Sequence, residues 1–154
     1  MSGQELDFWA YGVPAPQGSK KIGRHPATRR PLLVDDNSKA LKPWRETVEF
    51  YARRAMRGLH RFEGPVRIEL HFFLPRPQSH FKKDRTLRAS APLWPAVKPD
   101  TDKLERAVFD SLTSAGVWAD DSRAVMVYAQ KAYADAHDPG VQVRIFDLAE
   151  EGEL

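Results

Sequence analysis

Hydrophobic and polar positions alternate with a period of two in four stretches of the chain, the pattern of strands buried on one face. In the clearest, Val66, Ile68, Leu70, Phe72 and Leu74 face one side while Arg67, Glu69 and His71 face the other. Val141, Val143 and Ile145 repeat the alternation near the C-terminus, and Leu6 to Tyr11 reads as a shorter first strand. The run from Val125 to Lys131 is apolar enough to predict a central strand. Two stretches follow the helical period instead. From Ser38 to Arg57, the residues Leu41, Trp44, Val48, Tyr51 and Ala55 recur at steps of three and four, with Gly58 as a stop. From Asp100 to Ala115, Leu104, Val108 and Leu112 form the stripe with Ala107 and Ser111 beside it, and Gly116 sits at the C-terminal end.

The predicted order is β, basic segment, α, β, long loop, α, β, β, with no internal repeat and no low-complexity tract. This implies an α+β fold: one small domain over residues 1–154, a mixed sheet of about four strands with two helices packed on it. Two stretches lack periodicity. Pro14 to Asn37 carries Lys20, Lys21, Arg24, Arg29 and Arg30, and its Pro and Gly content suggests a loop, with a short hairpin as an option within it. Residues 75–99 carry five prolines with Arg76, Lys82, Lys83, Arg85, Arg88 and Lys98 and are expected to form a mobile basic loop. Phe81 and Trp94 are interleaved with these cations, as rings are in segments that bind nucleic acid. Trp94 is nevertheless expected to tuck back onto the sheet. Residues 148–154 form an acidic tail.

Composition narrows the class. With 154 residues the chain makes one domain, and 42% apolar residues are enough for a core, which argues against disorder. No apolar run approaches the roughly 20 residues that span a bilayer, so no membrane is expected as a partner, and the cytoplasm is the default location. The absence of cysteine excludes disulfides, thiolate zinc sites and cysteine nucleophiles. His25, His60, His71, His80 and His137 are scattered without metal-ligand spacing. The net charge of +3 hides a segregation: residues 20–99 hold 19 Lys/Arg against 7 Asp/Glu, whereas residues 100–154 hold 5 against 12. A basic surface of that size is suited to neutralising phosphates.

The acids add chemistry to that surface. Asp100 opens the second helix, where its carboxylate is placed to accept from the first-turn N–H groups as an N-cap. That role does not require Asp102, nor does it account for the pair Asp120-Asp121 in the turn before the next strand. The helix is about 20 Å long at 1.5 Å per residue, so Asp120 or Asp121 reaches Asp100 only if the intervening chain crosses back toward the helix start. If it does, Asp100, Asp102 and one or both of Asp120 and Asp121 form an all-oxygen cluster suited to Mg²⁺ or Mn²⁺; if not, Asp100 is a cap and Asp120-Asp121 a solvated turn. Arg106 lies one turn beyond Asp102, either as a surface ion pair or as a clamp for phosphoryl charge. Lys131, at the end of an apolar strand face, either snorkels or serves the same charge.

The segment from Lys98 to Lys131 resembles the signature of the RusA-type Holliday junction resolvases. That signature runs Pro-Asp-x-Asp-Asn, a basic residue on the helix, Asp-x-Leu, Gly-x-Trp, Asp-Asp, and a strand ending in lysine. Here these are Pro99-Asp100-Thr101-Asp102-Lys103, Arg106, Asp110-Ser111-Leu112, Gly116-Val117-Trp118, Asp120-Asp121 and Lys131. The resemblance implies a homodimer that binds four-way junction DNA and makes symmetric nicks with a divalent metal, Mg²⁺ or alternatively Mn²⁺. It assigns metal binding to Asp100, Asp102 and Asp121, with Asp120 adjacent. Arg106 stands where the family usually has a catalytic lysine; arginine keeps the charge but cannot give up a proton at neutral pH, which leaves charge stabilisation as its role. Lys103 replaces the usual asparagine. Restriction-enzyme-like nucleases share the Pro-Asp opening, but the acid that should precede their lysine is missing at Ala129-Gln130. Two other readings use the same residues: a metal-dependent flap or single-strand nuclease, and a non-catalytic DNA-binding module.

Overall fold

The computed structural model describes residues 3–18, 20–35 and 38–148; for residues 20–22, 33–35 and 38 it describes the backbone alone. The chain folds as β1 (Glu5–Tyr11), β2 (Lys20–Arg24), β3 (Pro31–Asp35), α1 (Ser38–Ala55), β4 (Val66–Leu74), α2 (Thr101–Ser114), β5 (Ala124–Tyr133) and β6 (Gly140–Asp147). The alternating stretch from Val66 to Leu74 forms a strand with the predicted bounds, because its even positions find a core and its odd positions do not. β1, β6, β4 and β5 form one sheet in that order, and β2 and β3 form a separate hairpin. β6 is antiparallel to both β1 and β4, whereas β5 runs parallel to β4. A parallel neighbour needs a crossover, and residues 75–123 supply it, with α2 at its centre.

Both helices pack on one face of this mixed sheet. Val66, Ile68, Leu70 and Phe72 of β4 and Val141, Val143 and Ile145 of β6 are buried with Trp44 and Val48 of α1 and Leu104, Val108 and Leu112 of α2. The expected α+β architecture is therefore the observed one. On the other face Trp9 stacks on Phe73 with ring centres 5.4 Å apart, and Arg67 lies 4.2 Å over the Phe146 ring.

β5 departs from the sequence reading. It is an edge strand, not a central one, and Val125, Met126, Val127 and Tyr128 are all exposed. An unbroken apolar run marks a strand to be covered on both faces, yet these four side chains are left exposed among the described residues. Gly116 takes the expected position after α2, with φ +74° in the left-handed region that turns the chain out of the helix. The acidic tail from residue 149 onward lies outside the described residues.

Candidate active site

Asp100 is the residue before α2, with extended backbone angles of −70° and 141°. Its carbonyl accepts from the backbone N–H groups of Lys103 and Leu104 at 3.2 and 3.1 Å. Its carboxylate, against expectation, makes no capping hydrogen bond; the nearest cation is Lys103 Nζ at 3.6 Å. The charge that would have been used to close the helix end is thus directed outward. Asp102 is exposed one step into the helix, and among the described residues its carboxylate has no hydrogen-bond or ion-pair partner. The expected alternative of an Asp102–Arg106 ion pair is not formed within the described residues; both side chains are exposed at positions four apart on α2. Glu105 was not singled out from the sequence. It is half-buried, and burial together with the charge of Asp102 holds its carboxyl above the ordinary range. The signal for it was its spacing of three from Asp102, obscured because acids are common on a solvated helix face.

The second acidic pair is positioned by Trp118. Its indole is buried against Phe109, edge to face at 5.2 Å, and Nε1 donates to Thr113 Oγ1 at 2.8 Å. Phe62 N–H donates to the Val117 carbonyl at 2.9 Å, which pins this turn beside the start of β4. Asp120 then closes a short helical turn over Asp121–Arg123 by accepting from Ser122 N–H at 2.6 Å. Ser122, through its hydroxyl first and this N–H second, holds the Asp120 carboxyl below the usual range. The neighbouring Asp121 carboxylate is exposed and among the described residues has no such partner.

The chain does not cross back between these pairs. β5 starts at Ala124, opposite Val66, and reaches Lys131 opposite Phe72. Lys131 Nζ donates to the carbonyls of Val97 and Pro99, at 2.5 and 2.8 Å, so the far end of β5 is tied to the entrance of α2. Seven residues of extended strand, about 23 Å at 3.3 Å each, separate that end from the Asp120-Asp121 turn. Asp100 and Asp102 therefore sit toward one end of α2, and Asp120 and Asp121 toward the other. Among the described residues no group of three His, Asp or Glu side chains is arranged to hold a metal ion. Asp100, Asp102 and Asp121 nonetheless have the donor chemistry of a hard divalent cation: exposed carboxylates, of which, among the described residues, Asp100 faces Lys103 at 3.6 Å.

The cations divide into two kinds. Arg76, counted in the sequence as a DNA contact, is committed to the fold. Its side chain is only 4% exposed; it forms a two-point bond to Asp135 at 2.7 and 3.0 Å and donates to the Pro92 carbonyl at 2.7 Å. It also lies 4.1 Å over the Tyr133 ring. Lys131 is likewise occupied by the two loop carbonyls. Lys82, Lys83, Arg85 and Arg88 are exposed and line a cleft of about 520 Å³ with Gln78 and Phe81. Arg85, with φ +70°, occupies the tip of a turn closed by Lys82 and Thr86, and Arg29, with φ 60°, occupies the tip of the β2–β3 hairpin. Arg24 and Arg30 are exposed beside it; Lys20 and Lys21 lie on β2, and their side chains are outside the described residues. A second cleft, of about 490 Å³, lies between the segment after β1 and the start of α2, and Lys98, Asp100 and Lys103 line it. Trp94, expected on the sheet, is 57% exposed in the basic loop.

The cleft at the helix entrance sets Asp100 beside Lys98 and Lys103, which brings together what phosphodiester cleavage needs, a carboxylate for a cation and cations for a phosphate. Comparison with curated proteins finds no match. The family model described as endodeoxyribonuclease RusA matches residues 12–146, from the end of β1 through nearly all of β6. The match spans both basic segments and both acidic pairs, and the chain therefore belongs to the RusA family of endodeoxyribonucleases, the Holliday junction resolvases.

Proposed function

We propose that this protein binds four-way DNA junctions as a homodimer and nicks two opposing strands symmetrically, using Mg²⁺, with Mn²⁺ as an alternative. The observation that carries the metal assignment is the Asp100 carboxylate, which stands at a helix N-terminus and yet caps nothing. Asp100 and Asp102 would hold the cation, and Asp121, with Asp120 beside it, would add to the set only across the dimer, since within one chain it lies at the other end of α2. When bound, the metal supplies Lewis-acid stabilisation of the phosphate and a more acidic water. In the hydrolysis a water oxygen would bond to phosphorus as the bond to the 3′-oxygen breaks, leaving a 3′-hydroxyl and a 5′-phosphate. The proton of the attacking water goes to solvent, and the departing oxygen takes its proton from solvent.

Arg106, exposed one turn beyond Asp102, grips a non-bridging phosphate oxygen and balances its growing charge; it transfers no proton, since guanidinium stays charged at any working pH. Lys98 and the loop cations Lys82, Lys83, Arg85 and Arg88 hold one part of the backbone. The hairpin, with Lys20, Lys21, Arg24, Arg29 and Arg30, holds another. Two nicks related by the two-fold symmetry of a junction call for two sites related in the same way, hence the dimer.

The test is a labelled four-way junction incubated with the protein and Mg²⁺ or Mn²⁺, with EDTA as control. Paired nicks that vanish with EDTA are expected. Asp102→Asn and Asp121→Asn should each lose cleavage by 100-fold or more, on the order of what removing one transition-state interaction costs, while still retarding the junction in a gel. Equal cleavage of flaps or linear duplex would replace the junction assignment with the less selective nuclease, and unaltered behaviour of both variants would leave a binding module.

A further inference from the structure

Leu93, Trp94 and Val97, in the loop between β4 and α2, are 73, 57 and 62% exposed. Pro95 among them is buried, so the segment rests on the fold while its larger apolar side chains are left in solvent. Prolines 92 and 95 fix their own φ and steer Ala91 and Trp94 to extended backbone. Ala96 N–H donates to the Trp94 carbonyl at 2.9 Å. The Arg76 guanidinium holds the Pro92 carbonyl at 2.7 Å, and Lys131 Nζ holds those of Val97 and Pro99 at 2.5 and 2.8 Å. The indole is therefore presented at a set place.

Its surroundings are cationic. Arg76 Nη1 is also 3.3 Å from His80 Nδ1, and Arg88 N–H donates to the His80 carbonyl at 2.9 Å. These contacts set the turn that carries Lys82, Lys83, Arg85 and Arg88 beside Pro92, and Lys98 follows on the other side. Asp84, the only acid of residues 75–99, is occupied by Thr86, whose N–H and hydroxyl donate to it at 3.0 and 2.7 Å. A flat apolar ring among cations fits a partner that is flat-faced and anionic at once, a nucleobase on its phosphate backbone.

We propose that Trp94, with Leu93 beside it, enters the branch point of a four-way junction and stacks on a base there, and that this contact makes the protein prefer junctions to duplex. The inference deepens the nuclease reading above and rests on it for the class of ligand. Inside a duplex a ring enters only by unstacking a base-pair step, which cancels most of what its own stacking gains. At a branch point the exchanging strands leave the stack, and the end pairs open with less loss. The neighbouring cations meet the same phosphates on an arm and on linear duplex, so they supply affinity without this preference. Trp94 lies six residues before Asp100, about 20 Å at full stretch. The scissile phosphate is therefore expected within about six nucleotides of the branch point, at roughly 3.4 Å of rise each.

The test compares binding of a four-way junction and of linear duplex by gel retardation, in the Asp102→Asn background that prevents cleavage. Trp94→Ala should weaken junction binding about tenfold, on the order of one lost base–ring stack, and leave duplex binding within about twofold. The salt dependence of both should stay as it was, since no phosphate contact is removed. Trp94→Phe should keep most of the preference. 2-Aminopurine at the branch point should change its emission on binding, and Trp94→Ala should abolish that change. Equal losses on junction and duplex, a branch-point signal that survives Trp94→Ala, or a wild-type chain without junction preference would each overturn the proposal. So would a change of mass in light scattering for Trp94→Ala, which would assign the patch to a second copy of the chain. A junction preference that depends on Trp94, in a wild-type chain that nicks nothing under any divalent metal, would sustain the proposal and fail the nuclease reading alone.

Discussion

Arg76 and Arg88 belong to the same loop and have opposite fates. Arg88 lines an open cleft, whereas Arg76 is enclosed by Asp135, Pro92 and Tyr133. Charge patterning along the chain could not distinguish them, because the partner that claims Arg76 lies 59 residues away. The acids at the helix entrance were legible for a related reason: a residue type at a cap position advertises itself, and the resemblance supplied the spacing to Asp121. Asp135 holds a testable share of the stability. The bond from Arg76 keeps its carboxyl below the ordinary range. Its contribution is therefore full above the unfolded value near pH 4, and falls away as the pH drops through the lower folded value. Asp135→Asn should cost about 1–2 kcal/mol near neutrality, a charged hydrogen bond discounted because Asp135 is half exposed. The difference should shrink in acid, as urea unfolding at about pH 7 and about pH 3 would show.

Among the elements, α2 and the turn after it connect the fold to the chemistry. Leu104, Val108 and Leu112 fix the helix on the sheet, and Trp118 fixes the turn on the helix. In the family signature Gly116 and Trp118 thus act as framework, setting where Asp120 and Asp121 emerge. Trp118→Ala should destabilise the protein by about 3–5 kcal/mol, the range for deleting a buried aromatic side chain. Trp118→Phe should lose about 1 kcal/mol with the bond to Thr113. Thermal unfolding of the two variants separates packing from hydrogen bonding. Sequence periodicity identified this helix and β4 because each has one buried and one solvated face. It misassigned β5, whose apolar run predicts cover on both faces although four of its side chains are exposed at the sheet edge.

At the scale of the whole molecule, the basic segments are carried on a hairpin and a loop outside the main sheet, leaving the sheet and its helices as a frame for the acids. Binding through such arms is governed by release of counterions from DNA. Junction affinity should fall linearly with salt on a double-logarithmic plot, and its slope should decrease by roughly 0.9 for each phosphate left unneutralised when Lys82, Lys83, Arg85 and Arg88 are changed to alanine. Gel retardation across a salt series, with Asp102→Asn to prevent cleavage, measures it. A slope unchanged in that variant would remove the loop from the DNA interface. This arrangement was only half legible in the sequence: the charge segregation could be counted, but the separation of acids along α2 follows from a strand direction that no local pattern encodes.

The loop from Pro75 to Pro99 is fastened at both ends to the same few residues. Arg76 holds its beginning to Tyr133 and Asp135, and Lys131 holds its end at Val97 and Pro99. The segment is therefore a strap with both buckles at the tip of β5, and Asp100 is the first residue past the second buckle. Tension applied to its cations by a bent DNA arm would be borne at those anchors and not dissipated through slack chain. In mechanical terms the strap is a lever whose fulcrum adjoins the residue that must be aimed.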